Sequence, residues 1–301
     1  MKYEIEERNR YEFPEGIDSV TGGRGGDATL VHAYDKTFLI DCGMACFGRE
    51  LVANIKEILG ERSLDYLFVT HTHYDHLGAM SYLRETWKDL KVWSSSYGKK
   101  VLVRPGCRNT IESFSEKAGE LYNKNIEKFK QENFYVDYSL EHEEKVDLGG
   151  GYLVAVESMG HTNCSMAYHI MPMDYLFTSE STGVYLGEDI IEATVLKSFE
   201  DSMRAVRYAK ERNSKHIILP HYGNLPERLK DTYFDMYEKV ARDEKKAIEN
   251  MIKAGMSHEE ILEELKRINW VGDRQQEQHL DAFLINAANT IEVYRKEMEK
   301  L

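Results

Sequence analysis

The chain is poor in the residues that stabilise small secreted domains and in those that cross membranes. Its 301 residues include only five prolines and four cysteines. The cysteines show neither C-x-x-C spacing nor disulfide-rich density, so we expect reduced thiols. No run of about eighteen apolar residues occurs, and residues 1–8 are too charged for a signal peptide. The sequence therefore predicts a cytoplasmic protein without a membrane partner.

Positive charge is also scarce. The chain carries 39 Lys and Arg against 52 Asp and Glu, which gives a formal net charge of −13. Such a chain repels a phosphate backbone, and no Lys/Arg-rich segment offers a local exception. We therefore expect no nucleic-acid partner and interpret the acidity as a contribution to solubility. The hydrophobic content of 42% is enough for a sizeable core.

Residues that bind metals are concentrated in one short stretch. The apolar and β-branched residues 66–70 predict a buried strand, and His71, His73, Asp75 and His76 follow it directly. Alternate side chains share a face on an extended backbone, so His71 and His73 can converge on one ion while Asp75 and His76 point to a second. Two adjacent ions would lower the pKa of a shared water and polarise the bond under attack. A solvated histidine-rich turn is the alternative.

This stretch resembles the signature of the metallo-β-lactamase fold superfamily. The resemblance implies an α/β fold, an αββα sandwich, in which further metal ligands follow later strands. Asp41, after the apolar residues 38–40, matches an aspartate that supports the site in that family. By the same resemblance, the first ion is held by His71, His73 and His161, the second by Asp75, His76 and His221, and Glu180 bridges the two.

Glu180 departs from the family pattern, in which most members carry an aspartate at this place. Glutamate has the same two oxygens on a longer arm, so it can bridge two ions if the backbone lies farther back by about one bond. The alternative is a weak second site. Residues 179–185 resemble the corresponding loop of the quinolone-signal response thioesterase branch.

The segments around these motifs predict alternating strands and helices. The glycine-rich residues 22–26 lack the context of a phosphate-binding loop and predict a flexible turn between strands. A charged, amphipathic stretch predicts a helix over 111–132, either a lid over the metal cleft or a plain surface helix. Further strands are predicted at 28–33, 37–41, 91–94 and 152–157, and further helices at 49–59 and from residue 80.

From Pro226 onward the composition changes, because apolar residues recur at helical spacing to the end of the chain. Ser257 and Glu260 form a capping-box pattern that opens a helix. We therefore divide the chain into a metal hydrolase domain, 1–225, and a C-terminal helical cap, 226–301. Such a tail resembles the thioesterase branch, in which it narrows the substrate pocket. Packing or formation of a homodimer is the alternative role.

These observations predict a dinuclear metal-dependent hydrolase acting on a small-molecule carbonyl ester, most plausibly a thioester or a lactone. Asp75 is the candidate catalytic residue, which would orient the attacking water and exchange its proton. Tyr222, beside His221, could donate to the developing oxyanion or be a buried structural tyrosine. Two divalent ions are the expected cofactors; zinc suits the histidine-rich set best, and iron or manganese also fits.

Three other functions stay open. A phosphodiesterase would use the same metal chemistry, and nothing in the sequence separates acyl from phosphoryl substrates. A di-iron redox protein of this fold usually has a glutamate at the place of His73, together with a flavin domain, and no flavodoxin-like pattern is apparent in the sequence. A regulatory protein with incidental hydrolysis is the third alternative.

Overall fold

The computed structural model describes residues 12–187, 189–272 and 274–300, and the charged residues 1–8 discussed above lie outside this part. Two six-stranded sheets pack face to face, and helices cover their outer faces. The first sheet contains, in spatial order, β1 (Ile17–Ser19), β2 (Thr29–Ala33), β3 (Lys36–Ile40), β4 (Tyr66–Phe68), β5 (Lys91–Ser95) and β6 (Tyr138–Leu140).

The second sheet is mixed and has its strands in a different order from the chain. Its strands are β7 (Lys145–Asp147), β8 (Tyr152–Glu157), β9 (Met166–Met171), β10 (Tyr175–Phe177), β13 (His216–Leu219) and β14 (Gly223–Asn224), in the spatial order β14-β13-β10-β9-β8-β7. A separate hairpin is formed by β11 (Val184–Gly187) and β12 (Ile190–Glu192). The α/β sandwich predicted from the sequence is confirmed.

Successive side chains along a strand belong alternately to two layers of the core, one between the sheets and one between a sheet and its outer helices. Phe38 and Ile40 of β3 face the second sheet, whereas Leu39 between them faces the outer helices. Likewise, Tyr168 of β9 lies between the sheets and its neighbour Ala167 faces outward. Successive side chains of a strand point to opposite faces, so an apolar strand buried on both sides must be covered by helices on its outer face.

The helices that cover the first sheet lie early in the chain. They are α1 (Gly48–Leu59), α2 (Tyr74–Leu77), α3 (Met80–Thr86), α4 (Ser96–Leu102) and α5 (Pro105–Leu121). The second sheet is covered by α6 (Phe199–Arg212) and by the start of α7 (Tyr233–Lys253). The remaining helices are α8 (His258–Asn269), α9 (Arg274–Glu277) and α10 (Leu280–Met298). Within the described residues, no helix is long and apolar enough to cross a membrane.

Helix α7 contributes to two apolar clusters. Its first turns place Tyr233 and Tyr237 in the cluster that α6 forms with the second sheet. Its second half places Ile248 against α8 and α10. Ser257 caps α8 through reciprocal bonds with Glu260, as the sequence predicts. The helical tail is therefore anchored by a helix that is itself part of the sandwich core.

The helix predicted over 111–132 is wrong at both ends. It begins at Pro105, a residue that suits the first helical turn, and it ends at Leu121, shortly before Asn123 with φ +50°. Ile126 and Phe129 belong to a non-helical segment, in which Phe129 stacks on Phe134 at 4.6 Å between ring centroids. The apolar spacing in the sequence therefore continues past the end of the helix, because the following loop also packs apolar side chains against the core.

The glycine-rich loop connects β1 and β2, as the sequence predicts, but close packing and not flexibility explains its composition. Gly25 and Gly26 are buried. A Cβ atom on Gly26 would overlap the carbonyl oxygen of Asp75, and one on Gly22 would approach the backbone of Phe47 and Leu51. The absence of side chains therefore lets this loop lie directly against α1 and the segment of Asp75.

We expect Gly26→Ala to lower the free energy of unfolding by about 1–3 kcal/mol, because a methyl group there can be accommodated only if the backbone of Asp75 moves. Urea unfolding monitored by circular dichroism measures the change. Gly106→Ala is the matched control, since a Cβ at this helical position meets nothing within 4 Å and should be neutral or slightly stabilising. Equal stability of the two variants would contradict the close-packing role.

Candidate metal centre

The predicted site residues follow strands that end at one edge of the sandwich. In the second sheet, β8 and β10 are both antiparallel to β9, and β13 is parallel to β10, so all three strands end on the same side. In the first sheet, β3 and β4 are parallel and also share an edge. The segments that follow these five strands carry Asp41, the 71–76 stretch, His161, Glu180 and His221.

The structure brings all seven residues proposed as metal ligands together in two adjacent groups. His71, His73, His161 and Glu180 form one group, and Asp75, His76, Glu180 and His221 form the other. In each group, one potential ligand atom from every residue lies within 4.8 Å of the others. Glu180 belongs to both groups, which is the place that the sequence analysis assigns to it.

Asp41 positions two segments of the centre through hydrogen bonds, without belonging to either ligand group. It ends β3 with a positive φ of 55°, and its side chain is buried. Its carboxylate accepts hydrogen bonds from the amide of Thr70 (2.7 Å), the hydroxyl of Thr70 (2.6 Å) and Nδ1 of His76 (2.8 Å). The bond from His76 holds this ring in place, because a carboxylate can only accept, and it directs Nε2 at the other ligands, 2.8 Å from Glu180 Oε1.

The same network fixes His71. Since the Thr70 hydroxyl donates to Asp41, its oxygen accepts from Nδ1 of His71 at 3.1 Å. The Nε2 lone pair of His71 then points into the centre, where it is buried without a hydrogen-bond partner among the described residues. A buried acceptor without a partner is costly, and a divalent cation would satisfy it. The donor set therefore fits a metal ion.

His161 is oriented by the backbone of a neighbouring loop. Its Nδ1 donates to the carbonyl oxygen of Thr194 at 2.9 Å, and its amide donates to Ser181 Oγ. Its Nε2 consequently carries a lone pair and lies 3.0 Å from Nδ1 of His73. Two ring nitrogens directed at one point form the nitrogen side of a metal site.

Burial and neighbouring groups keep the imidazoles of His71 and His73 in the form that binds metals. Burial, followed by the neighbouring imidazoles, lowers the pKa of His71 well below its usual value. Burial and the nearby His161 lower the pKa of His73 to about 3. Neutral imidazole is the form that coordinates a metal, so no proton has to be displaced from either ring.

Glu180 lies on a short 3₁₀ turn, Glu180–Thr182, directly after β10. Its Oε1 is 2.8 Å from His76 Nε2 and 3.2 Å from His221 Nε2, and its Oε2 is 3.6 Å from His161 Nε2. Burial raises the pKa of this carboxyl, but the neighbouring His161 and His221 outweigh burial and hold the pKa well below the usual value. Glu180 is therefore an anion that contacts both groups through its two oxygens.

Asp75 is placed between the centre and a cavity. Its Oδ2 lies 3.5 Å from His76 Nε2 and 3.9 Å from His221 Nε2, and the residue also lines the cavity wall. Burial raises the pKa of Asp75; the charge of His76 opposes this effect and that of Glu180 adds to it. A carboxylate that lies between the ligand groups and open space is placed to accept a proton from a molecule bound there.

The cavity above the centre has a volume of about 280 Å³. Near the centre its wall includes Phe114 of α5, which stacks on Tyr74 at 5.5 Å, and farther away it includes residues of α8 and α10. The apolar part of the wall is formed by Ile111, Phe114, Val184, Leu186, Ala193, Leu196, Leu265, Ala282, Phe283, Ile285 and Ala287. Helix α5, which overlaps the predicted lid helix 111–132 but spans Pro105–Leu121, thus lines the cavity.

The sequence analysis considered Tyr222 as a donor to the oxyanion, whereas in the structure its hydroxyl contacts a glutamate. Its hydroxyl donates to the carboxylate of Glu277 in α9, so it connects the segment of His221 with the C-terminal helices.

Cys164 is buried beside the hydroxyls of Thr162 and Thr72, and it belongs to neither metal-ligand group. Sequence reasoning missed Thr70, although it stands beside His71, and Thr194, whose role rests on a backbone carbonyl that leaves no pattern.

Comparisons with known proteins agree with this architecture. A metallo-beta-lactamase fold-containing protein, ST1585, of Sulfurisphaera tokodaii is 25% identical over 215 residues, which cover 70% of this chain and 79% of that protein. Its crystal structure superposes with a TM-score of 0.58, at 24% identity over 75% of this chain and 86% of the other. BJP-1, a subclass B3 metallo-beta-lactamase of Bradyrhizobium japonicum, shares the fold with a TM-score of 0.56, at 17% identity over 82% and 96% of the two chains.

A shorter similarity extends to oxidoreductases. A nitric oxide reductase of Moorella thermoacetica is 43% identical over 68 residues, which are 21% of this chain and 17% of that protein. The sequence model of the metallo-beta-lactamase superfamily matches residues 21–221, a range that contains every proposed metal ligand. The chain belongs to the metallo-beta-lactamase superfamily.

Proposed function

We propose that this protein is a dinuclear metal-dependent hydrolase of small-molecule carbonyl esters, most plausibly thioesters or lactones. The observation that carries the proposal is the pair of ligand groups joined by Glu180 at the foot of a largely apolar cavity. His71, His73 and His161 would hold one divalent ion, Asp75, His76 and His221 the other, and Glu180 would bridge them. Ions held there would polarise the substrate carbonyl and acidify water.

The residues of the chain would divide the remaining work. Asp41, through Thr70 and His76, keeps two imidazoles in the required orientation. Asp75 is the group that orients the attacking water, accepts its proton and returns a proton to the leaving group. Its position between the ligand groups and the cavity supports this role.

The lining of the cavity supports an acyl substrate over a phosphodiester. Its wall is formed by aliphatic and aromatic side chains of α5, the β11–β12 hairpin and α10, which suit a hydrocarbon chain attached to the carbonyl. Glu192, Glu244 and Glu277 lie in the same wall, so the cavity offers a phosphodiester more carboxylates than cations. Zinc remains the metal that we propose, with iron or manganese as alternatives.

A second candidate is redox chemistry at a di-iron centre, which the local similarity to the nitric oxide reductase favours. The presence of His73 where such proteins usually have a glutamate supports the hydrolase instead. Iron as the bound metal, together with reduction of nitric oxide or oxygen and an absence of ester hydrolysis, would establish this second candidate.

The proposed function predicts two divalent ions per chain and turnover of thioester or lactone substrates. Elemental analysis of protein purified without chelators measures the first, and a screen of thioesters, lactones and phosphodiesters measures the second. Asp75→Asn should reduce kcat about 100- to 10,000-fold, since an amide keeps the shape but cannot accept the proton. A thermal melt of this variant checks that the fold is retained.

At most one metal equivalent after supplementation would overturn the dinuclear site. Turnover of phosphodiesters alone would replace the acyl substrate class. Near-parental kcat in the well-folded Asp75→Asn variant would remove Asp75 from the reaction. Asp89→Asn, an exposed change outside the site that also converts an aspartate to its amide, is the matched control and should retain parental turnover.

We expect Asp41→Asn to lower metal affinity about 10- to 100-fold while leaving the fold intact. Asparagine tolerates the positive φ at this position, but its amide cannot accept the three hydrogen bonds that hold Thr70 and His76. Competition with a chromogenic chelator measures the affinity. Asp65→Asn is the control, because Asp65 bonds the amide of Thr37, outside both ligand groups, and unchanged affinity in Asp41→Asn would contradict the orienting role.

The proposed cap role of residues 226–301 predicts that wall residues of α10 influence substrate choice. Phe283 lines the cavity, whereas its neighbour Leu284 packs in the C-terminal helical cluster and is not among the wall residues. Phe283→Ala should change the ratio of kcat/KM for long and short acyl thioesters by about tenfold, since it removes a large apolar contact. Leu284→Ala should leave this ratio within about twofold; equal ratios in both variants and the parent would favour a packing or dimer role.

A further inference from the structure

The part of the cavity formed by the C-terminal helices contains a carboxyl group that the proposed reaction does not use. Glu244 of α7 lines this part together with Leu265 of α8 and Thr290 of α10. Its Oε2 accepts a hydrogen bond from the Tyr294 hydroxyl at 3.2 Å. Within the described residues, no lysine, arginine or histidine forms an ion pair with it.

The position of Glu244 relative to the metal centre follows from α10. The start of this helix lies near the centre: Asp281 pairs with Lys117 of α5, and Glu277, just before the helix, binds Tyr222 beside His221. From Ala282 to Thr290 the helix lines the cavity, and at 1.5 Å per residue these eight steps span about 12 Å. Glu244 therefore marks the end of the cavity that is remote from the metal centre.

Between these two ends, the wall has more apolar than polar surface, although Lys197 and Asn286 also lie in it. Phe283 and Ala287 of α10 and Leu196 from the loop before α6 line it, and Leu265 lies near the remote end. A molecule that fills the cavity lengthwise would thus meet metal ligands first, hydrocarbon side chains next, and a carboxyl group last. Such an order suits a linear molecule with polar groups at both of its ends.

Among the residues that the structure describes, the carboxyl group of Glu244 has no cationic partner, although cations lie close along the helix. The neighbouring Lys245 pairs with Glu249 and Glu297, and the other neighbour, Asp243, pairs with Lys239 on the solvent side. Burial raises the pKa of Glu244 to about 7. A buried carboxyl group is costly unless it is paired, and a ligand cation in the cavity would provide the missing charge.

We propose that Glu244 binds an ammonium group at the remote end of the substrate, so that the preferred substrate is a linear ester or thioester of an ω-amino acid. This assignment of a substrate class rests on the proposed hydrolase function. The carbonyl would lie at the metal centre, the methylene chain along the apolar wall, and the amine beside Glu244. Tyr294 holds the carboxylate in place by donating to its other oxygen.

Two pairs of probes of equal length test the proposal. The phenyl thioesters of ω-aminooctanoic acid and nonanoic acid differ only by an ammonium group in place of a methyl group, and the corresponding free acids give the same comparison without hydrolysis. We expect the metal-loaded protein to prefer the amino-tailed thioester by about tenfold or more in kcat/KM. Calorimetry should show a similar preference in Kd for the amino-tailed acid.

Variants on one helix assign the preference to one side chain. Glu244→Gln should reduce the preference to about unity, because the amide is neutral. Asp243→Asn is the matched control: it removes one negative charge from the same helix on the solvent side and should keep the full preference. Glu244→Asp, which retains the charge on a shorter arm, should keep part of it.

The outcomes separate this inference from the proposed function. An equal Kd for the two acids in the parental protein, or a preference that survives in Glu244→Gln, would overturn the role of Glu244. A preference for an acetamide-tailed thioester over the amino-tailed one would also overturn it, in favour of a neutral donor. If neither thioester is hydrolysed but the difference in Kd is present and depends on Glu244, the ester hydrolase proposal fails and the amine site stands.

Discussion

The arrangement of the centre depends on one buried carboxylate, that of Asp41. Three hydrogen bonds run to it from Thr70 and His76, and a fourth bond, from His71 to Thr70, extends the network. These contacts join the end of β3 to the segment after β4, and they set the orientations of two imidazoles. Since His76 donates to a buried anion and His71 donates to the hydroxyl that also binds this anion, neither ring can turn without the loss of a buried hydrogen bond.

A second constraint is the concentration of polar groups at a single edge of an apolar sandwich. The imidazoles of His71 and His73 are held neutral by burial, whereas Glu180 is held ionised by the histidines around it. Without a cation, the His71 Nε2 lone pair has no hydrogen-bond partner in the described part of the chain. A bound divalent ion would satisfy this buried acceptor. We therefore expect metal binding to stabilise this edge of the sandwich against unfolding.

The C-terminal helices form part of the cavity wall and supply none of the proposed metal ligands. Helix α7 belongs to the apolar core beside the second sheet and, farther along, to the cluster of α8 and α10. This connection places side chains of α10, together with Glu244 of α7, in the wall of the cavity. Variation in these helices could therefore change substrate choice while the chemistry at the strand ends stays the same.

The sequence by itself determined the ligand-rich stretch 71–76, because closely spaced histidines after an apolar strand are a local pattern, whereas the sandwich and the ligands His161, Glu180 and His221 were predicted from the resemblance to the superfamily. It did not determine the end of α5, since Ile126 and Phe129 continue a helical pattern in a loop that leaves them partly buried. Nor did it show the carbonyl of Thr194 behind His161, the partner of Tyr222, or the place of Glu244 in the cavity wall. These features join residues far apart in the chain, so only tertiary packing decided them.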